Sequence, residues 1–179
     1  ARTLPIYHDL NIVLLSDHGM GAIGPGRSIR LDSLIKPEWV KEVQGGNPVY
    51  NIMVEEGYID SVMAVLDATK HLTAWRRGEA PEYLHYRKNP RILDITVAAD
   101  SSWSITWGGQ RIYSGGTHGY DPRNKDMHAI FMARGPAFRE GFVHPSFENV
   151  HVYSILAYVL GLTPAPTDGS LQQVRACFR

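Results

Sequence analysis

Short apolar runs separated by glycine-rich and polar loops dominate this chain. The first run, Ile12 to Leu15, ends abruptly in the polar residues Ser16, Asp17 and His18. An apolar run without alternation is typical of a strand that is buried on both faces, as in a parallel sheet. Working groups in open α/β sheets lie just beyond the carboxyl ends of strands, so Asp17 and His18 stand where chemistry is expected.

Further strands and two helices are predicted along the chain. Four segments have strand patterns, and the clearest alternation places Ser104 and Thr106 between apolar neighbours. The predicted strands are Val49 to Val54, Ile92 to Ala99, Trp103 to Trp107 and Ala129 to Ala133. Helical spacing of apolar residues predicts one helix from Tyr58 to about Lys70, and a second that Asn149 caps and Gly161 ends. This order of elements predicts an α/β fold with its site in the loops at one sheet edge.

Two glycine-flanked polar segments carry the candidate chemistry. A lone Asp-His pair is typical of a capped turn, but a second segment, GGTHGYD at residues 115–121, also precedes an apolar run. The first segment also matches the spacing of a dinucleotide fingerprint from Gly19 to Gly24. Pro25 and Gly26 would break the helix that such a fingerprint requires, so this interpretation is disfavoured.

Several segments together resemble the nucleotide pyrophosphatase/phosphodiesterase family of the alkaline phosphatase superfamily. They are SDHGM at 16–20, GTHGYD at 116–121, MHAIFMARGPAF at 127–138, FENV at 147–150 and LTPAP at 162–166. The resemblance runs from Asn11 to about Gly169. It implies an alkaline-phosphatase-like layered α/β sandwich with a mostly parallel central sheet. Residues 1–179 would form the C-terminal portion of a single catalytic domain.

The resemblance also implies two Zn²⁺ ions and a division of their ligands. Asp17 and His18 match two ligands of one ion, and His118 matches a ligand of the other. In the family the first ion is also held by an aspartate and the nucleophilic threonine, and the second by another aspartate and histidine. These four residues precede position 1 in the family order. The N-terminal portion of the same catalytic domain is therefore the implied partner, and neither Ser16 nor Thr117 matches the nucleophile.

The implied reaction of the complete domain is hydrolysis of phosphodiester or pyrophosphate bonds in nucleotides through a phosphorylated threonine. This chain alone is then expected to be inactive. The substrates would be small molecules, with nucleotides and phospholipid-like diesters both open, and the location would be periplasmic or extracellular. Two alternatives remain. One is another superfamily hydrolase of the phosphonoacetate hydrolase or phosphoglycerate mutase type, and the other is a non-catalytic module in which Asp17 and His18 only cap a turn.

Composition excludes several partners. The 18 basic and 18 acidic residues cancel, so neither nucleic acid nor an anionic membrane is expected as a partner. The longest apolar segment, Val152 to Leu162, is too short to span a bilayer. The single cysteine, Cys177, cannot form an internal disulfide, which leaves the redox compartment open.

The remaining polar and aromatic residues have structural interpretations. Trp103 and Trp107 are expected to pack in the core rather than stack on a nucleobase. His128 is interpreted as a structural histidine, with a contact to the metal ligands as the alternative. Asp121 is expected to fix its loop through hydrogen bonds to backbone amides. Surface or capping roles are expected for Asp126, His144 and His151.

Overall fold

The computed structural model describes residues 5–109 and 113–179, and the chain divides into two compact units. We call His18–His128 the inserted unit, and Ala1–Asp17 with Ala129–Arg179 the terminal unit. The strands are β1 (Ile12–Leu15), β2 (Gly21–Ile23), β3 (Ser28–Arg30), β4 (Val40–Gly46), β5 (Val49–Val54), β6 (Leu72–Arg76), β7 (Ile95–Ala99), β8 (Ser104–Thr106), β9 (Gly115–Thr117) and β10 (Phe131–Arg134). The α-helices are α1 (Ile59–Asp67), α2 (Val152–Val159) and α3 (Leu171–Val174). Short 3₁₀ helices lie at Tyr7–Asp9, Leu31–Ser33, Pro37–Trp39, Glu82–Leu84, Lys125–Met127, Asn149–His151 and Arg175–Cys177.

A four-stranded antiparallel sheet in the order β4-β5-β7-β6 forms the centre of the inserted unit. Side chains alternate between its two faces, and one face carries Ile52, Ile95 and Val97, which are fully buried. Helix α1 buries its apolar stripe, which includes Val62 and Leu66, in the same core. This alternation of strand residues and the helical spacing of the stripe explain why these segments adopt these structures.

Two short strand pairs complete the inserted unit. Strand β2 pairs antiparallel with β9, and β3 pairs parallel with β8. All three residues of β8 are buried. Ile105 lies in the core, between the polar residues Ser104 and Thr106. The β2–β9 pair brings together the loop that carries His18, before β2, and the loop that carries His118, after β9.

The terminal unit contains the antiparallel pair β1–β10 and a separate apolar cluster. Ile155 of α2, Val174 of α3 and the stacked rings of Phe138 and Phe178 lie in this cluster. Cys177 is a free thiol buried there, and burial raises its pKa.

The α/β class predicted from the sequence is confirmed, and one strand differs from its prediction. Strand β1 was expected to be buried on both faces in a parallel sheet, and this is wrong. It pairs antiparallel with β10, and Leu14 is 58% exposed. Among the described residues β3 and β8 pair in parallel, whereas the other strand pairs, including those of the four-stranded sheet, are antiparallel, so a mostly parallel sheet is not seen in this part of the chain.

The other predicted elements agree with the structure to within a few residues. Strand β5 has the predicted bounds, and α1, β7, β8 and β10 lie within or close to theirs. Asn149 does not cap a helix, because it is the first residue of a 3₁₀ turn whose N-cap is Glu148. Strand β6 was missed, since Leu72–Arg76 mixes polar and apolar residues without a clear signal.

Candidate metal centre

The antiparallel pairing of β2 and β9 places the two predicted histidines beside each other. Gly21 at the start of β2 lies opposite Thr117 at the end of β9. The residues before Gly21 and after Thr117 therefore leave the same end of this ribbon, and His18 and His118 belong to these two segments. A pairing between residues so far apart in the chain is what the sequence alone could not establish.

The imidazole rings of His18 and His118 are stacked, with centroids 3.5 Å apart and planes inclined by 11°. Nδ1 of His18 lies 2.7 Å from the carbonyl oxygen of Gly19. Because a carbonyl oxygen can only accept, this contact assigns the proton of a neutral His18 ring to Nδ1. Nε2 then carries the lone pair, which is the arrangement that metal-binding histidines commonly adopt.

Close backbone packing holds the loop after His18. The amide of Gly19 donates to the carbonyl of Met127 at 3.0 Å. A Cβ atom at position 19 would lie 2.0 Å from the carbonyl oxygen of Asp126, so only glycine fits. This contact ties the His18 loop to the segment that follows the His118 loop.

Asp17 is exposed and directly precedes His18, at the end of the terminal unit. Ser16 has a structural role in the same unit, because its hydroxyl oxygen accepts the amide of Ile130 at 3.0 Å. Within residues 5–109 and 113–179, no three His, Cys, Asp or Glu side chains form a group that could hold a metal ion. Of the three predicted ligands, His18 and His118 therefore have neighbouring imidazole rings, and Asp17 is the residue next to His18 in the chain.

The residues after His118 are anchored by hydrogen bonds. Tyr120 is buried and its hydroxyl donates to the carbonyl of Trp103 at 2.7 Å. Burial raises the pKa of Tyr120. Asp121 accepts the amide of Arg123 at 2.8 Å, which confirms its predicted role in fixing the loop. It also accepts the hydroxyl of Tyr83 at 2.5 Å, and this bond raises the pKa of Tyr83.

The other candidates divide into confirmed and revised interpretations. Trp103 and Trp107 are half-buried and pack against the core of the inserted unit, as predicted. His128, interpreted from the sequence as a structural histidine, is exposed and lies before strand β10. His151, expected in a surface or capping role, is buried, and its Nδ1 accepts the amide of Ser170, the N-cap residue of α3, at 3.0 Å. Asp126 is exposed, as expected for a surface residue.

Solved structures define the class of fold to which this chain is similar. Murine ectonucleotide pyrophosphatase/phosphodiesterase 5 superimposes with a TM-score of 0.88 at 34% identity, covering 97% of this chain and 47% of that one. An inactive variant of the murine protein in complex with AMP superimposes with a TM-score of 0.85 at 35% identity, covering 94% of this chain and 45% of that one. The fold is therefore the alkaline-phosphatase-like α/β fold of these hydrolases.

The family follows from the sequence comparison. Residues 2–121 match the model of the type I phosphodiesterase / nucleotide pyrophosphatase family. The chain is 34% identical over 171 residues to human ectonucleotide pyrophosphatase/phosphodiesterase family member 5, and 30% identical over 171 residues to human bis(5'-adenosyl)-triphosphatase. This chain belongs to the type I phosphodiesterase / nucleotide pyrophosphatase family, as its motifs predicted.

The chain spans less than half the length of these relatives. The two human alignments cover 95% and 94% of this chain but 36% and 37% of the relatives. The described residues contain no helix that is long and apolar enough to cross a membrane.

Proposed function

We propose that this chain supplies part of a two-zinc centre for the hydrolysis of phosphodiester or pyrophosphate bonds in nucleotides. Asp17 and His18 serve one ion, and His118 serves the other. Membership of the family supports the class of reaction, and the stacked pair of His18 and His118 is the observation that carries the assignment of ligands. When bound, zinc lowers the pKa of a coordinated hydroxyl and neutralises charge on the phosphoryl oxygens.

The donor set of this chain fits zinc. Carboxylate oxygen and imidazole nitrogen are ligands that zinc accepts, and the bond from Nδ1 of His18 to Gly19 makes Nε2 the donor atom for the ion. His118 is exposed and therefore open to an ion and a substrate.

The stacking of the rings supports two ions rather than one. An imidazole nitrogen directs its lone pair within the plane of its ring. The planes of His18 and His118 are nearly parallel and 3.5 Å apart at their centroids, so they meet only far from the rings. A single ion cannot lie close to both nitrogens and in both planes, whereas two neighbouring ions can each lie in one plane.

The remaining parts of the proposal concern the longer protein. A threonine nucleophile and the other ligands come from an N-terminal portion of the same domain, and the chain described here is inactive alone. Nucleotides are the proposed substrates, since a relative binds AMP. Several relatives are named ectonucleotide pyrophosphatases, and this name supports an extracellular or periplasmic location.

A direct assay tests whether the 179-residue chain acts alone. The purified chain is incubated with a chromogenic nitrophenyl phosphodiester and excess zinc, next to an intact family member. We expect no turnover above background. Turnover within about a factor of ten of the intact enzyme would contradict the proposal that nucleophile and ligands are missing, because each ion and the nucleophile contribute several kcal/mol.

A second assay tests the class of substrate on the full-length protein. A nitrophenyl diester of a nucleotide and the matching monoester are compared at equal concentration. The proposal predicts a higher kcat/KM for the diester. A clear preference for the monoester would favour another hydrolase type of the same superfamily.

A further inference from the structure

The second face of the four-stranded sheet in the inserted unit forms the floor of a cleft. Because side chains alternate along strands, the residues between the core positions point to the opposite face. On that face Val49 of β5 and Thr73 of β6 flank Ala98 of β7, and Trp75 of β6 lies opposite Thr96 of β7. These residues line a cleft of about 660 Å³. Small side chains on the central strand leave this space open.

Aromatic side chains form much of the wall of the cleft. Trp75, Tyr86, Trp103 and Tyr120 all line it. Tyr86 is held in place because its hydroxyl oxygen accepts the side-chain amide of Asn51 at 3.0 Å. The volume and the aromatic lining are those of sites for small organic molecules.

The wall near Trp103 is fixed by an unusual local backbone. His71 and Ser102 both have positive φ, 67° and 69°, although neither is glycine. The ring of His71 stacks on Trp103 with centroids 3.9 Å apart, and the amide of Asp100 donates to the carbonyl of His71 at 2.9 Å. Such conformations persist where the surrounding structure enforces them, and they cluster at functional sites.

The charged lining of the cleft is acidic. Asp100 and Asp121 line it, and no lysine or arginine among the described residues does so. Asp121 is engaged by Tyr83, whose ring also lies under the guanidinium of Arg123 at 3.6 Å. The side chain of Asp100 is 52% exposed, and the nearby imidazole of His71, which also lines the cleft, has its Nδ1 3.7 Å away, beyond hydrogen-bond distance. Asp100 is therefore the carboxylate best placed to attract a ligand.

We propose that this cleft binds an organic cation, a substituted ammonium group attached to an apolar or aromatic body. The carboxylate of Asp100 and the aromatic rings of Trp75 and Tyr86, which line the cleft, favour a positive charge, and the small residues of the floor accommodate the apolar body. The same lining disfavours phosphate and other anions, which separates this cleft from the proposed metal centre. The cleft adjoins the segment that carries His118, since Gly119 and Tyr120 line it.

Isothermal titration calorimetry on the full-length protein tests the proposal. The probes are benzyltrimethylammonium, which carries the charge, and benzyl alcohol, which keeps the ring and is neutral. We expect the cation to bind at least about tenfold more tightly than the alcohol, as the combined attraction of carboxylate and aromatic faces requires.

Two variants locate the binding. Asp100→Asn keeps the shape of the side chain and is expected to weaken binding of the cation about fivefold or more. Ala98→Leu adds volume to the floor and is expected to weaken both probes. Asp67→Asn, an exposed carboxylate at the end of α1 that does not line the cleft, is the matched control and leaves both affinities unchanged.

Each outcome decides the proposal. Equal affinity for the two probes would overturn the preference for a cation, and binding that neither Asp100→Asn nor Ala98→Leu weakens would overturn the location. No detectable binding of either probe by the folded wild-type protein would overturn the site itself. Circular dichroism of each variant confirms its fold before titration.

Discussion

Strand β7 in the inserted unit and strand β1 in the terminal unit are both short apolar runs, but β7 is buried and β1 is exposed. β7 lies between β5 and β6, and Ile95 and Val97 are fully buried. β1 has β10 as its strand neighbour among the described residues, and Ile12, Leu14 and Leu15 are all exposed. An apolar run indicates a strand, but the neighbours of that strand decide how much of it is buried.

The two units also differ in how much apolar surface their strands expose. In the inserted unit one face of the four-stranded sheet packs into a continuous core, whereas the terminal unit shows exposed apolar side chains on β1 and β10, including Met132 at 57% exposure. Exposed contiguous apolar residues mark surfaces that contact other protein segments. The relatives are more than twice as long as this chain.

The largest expected effect is that of replacing His118, which directly follows β9. In the full-length enzyme, His118→Ala should lower kcat/KM by about a thousandfold, because a bound ion contributes several kcal/mol of transition-state stabilisation. His8→Ala, in which an exposed histidine of the terminal unit is removed, is the control and should stay within about twofold of wild type, as surface substitutions do. Equal losses in both variants would contradict a specific role for His118.

Core substitutions measure the difference between the two units directly. Leu66→Ala removes a fully buried side chain of α1 and should lower the free energy of unfolding by about 2–5 kcal/mol. Leu14→Ala, at the exposed strand β1, should cost under about 1 kcal/mol in the 179-residue chain. Urea denaturation measures both. If Leu14→Ala costs as much as Leu66→Ala in the chain itself, the contrast between the units fails.

The loop after His18 allows a comparison between two glycines. Gly19→Ala places a methyl group against the carbonyl of Asp126, and we expect a loss of about 1–3 kcal/mol in stability from overpacking. Gly24→Ala meets no atom within 4 Å and should be close to neutral. Thermal unfolding of the two variants tests this. A neutral Gly19→Ala would show that the tight contact around the loop after His18 does not restrict it.

The smallest expected effect involves the buried tyrosine beside this loop. Tyr120→Phe removes the hydrogen bond to Trp103 and should cost about 1 kcal/mol at neutral pH. Burial raises the pKa of Tyr120 above its ordinary value of 10.0. The stabilising effect of the neutral phenol is therefore present below pH 10 and is lost as the pH rises through the raised pKa. Unfolding curves of both proteins at neutral and alkaline pH should converge, and an advantage of the wild type that grows with pH would contradict this origin.

Much of the local structure was predictable because it depends on nearby residues. The alternation in β5 and the apolar stripe of α1 specify those elements without long-range information. The exposure of β1 and the burial of His151 depend on distant segments, so periodicity could not predict them. Glycine-rich strands such as β9 have no side-chain pattern at all, and their pairing becomes visible only in three dimensions.

The sequence named candidate site residues but not how they are arranged. The motifs singled out Asp17, His18 and His118, and the pairing of β2 with β9 accounts for the contact between the two histidines. The cleft on the second face of the sheet had no sequence signal, since the small residues that create it, such as Ala98 and Thr73, are ordinary one by one.

Anomalous scattering at the zinc edge, on crystals of the full-length protein, tests the central claim most directly. We expect two zinc peaks in the wild type, one near Asp17 and His18 and the other near His118. His118→Ala should lower the occupancy of the second peak while the first persists, and Asp17→Asn should do the reverse. Loss of the same peak in both variants, or no change in either, would contradict the division of these ligands between two ions.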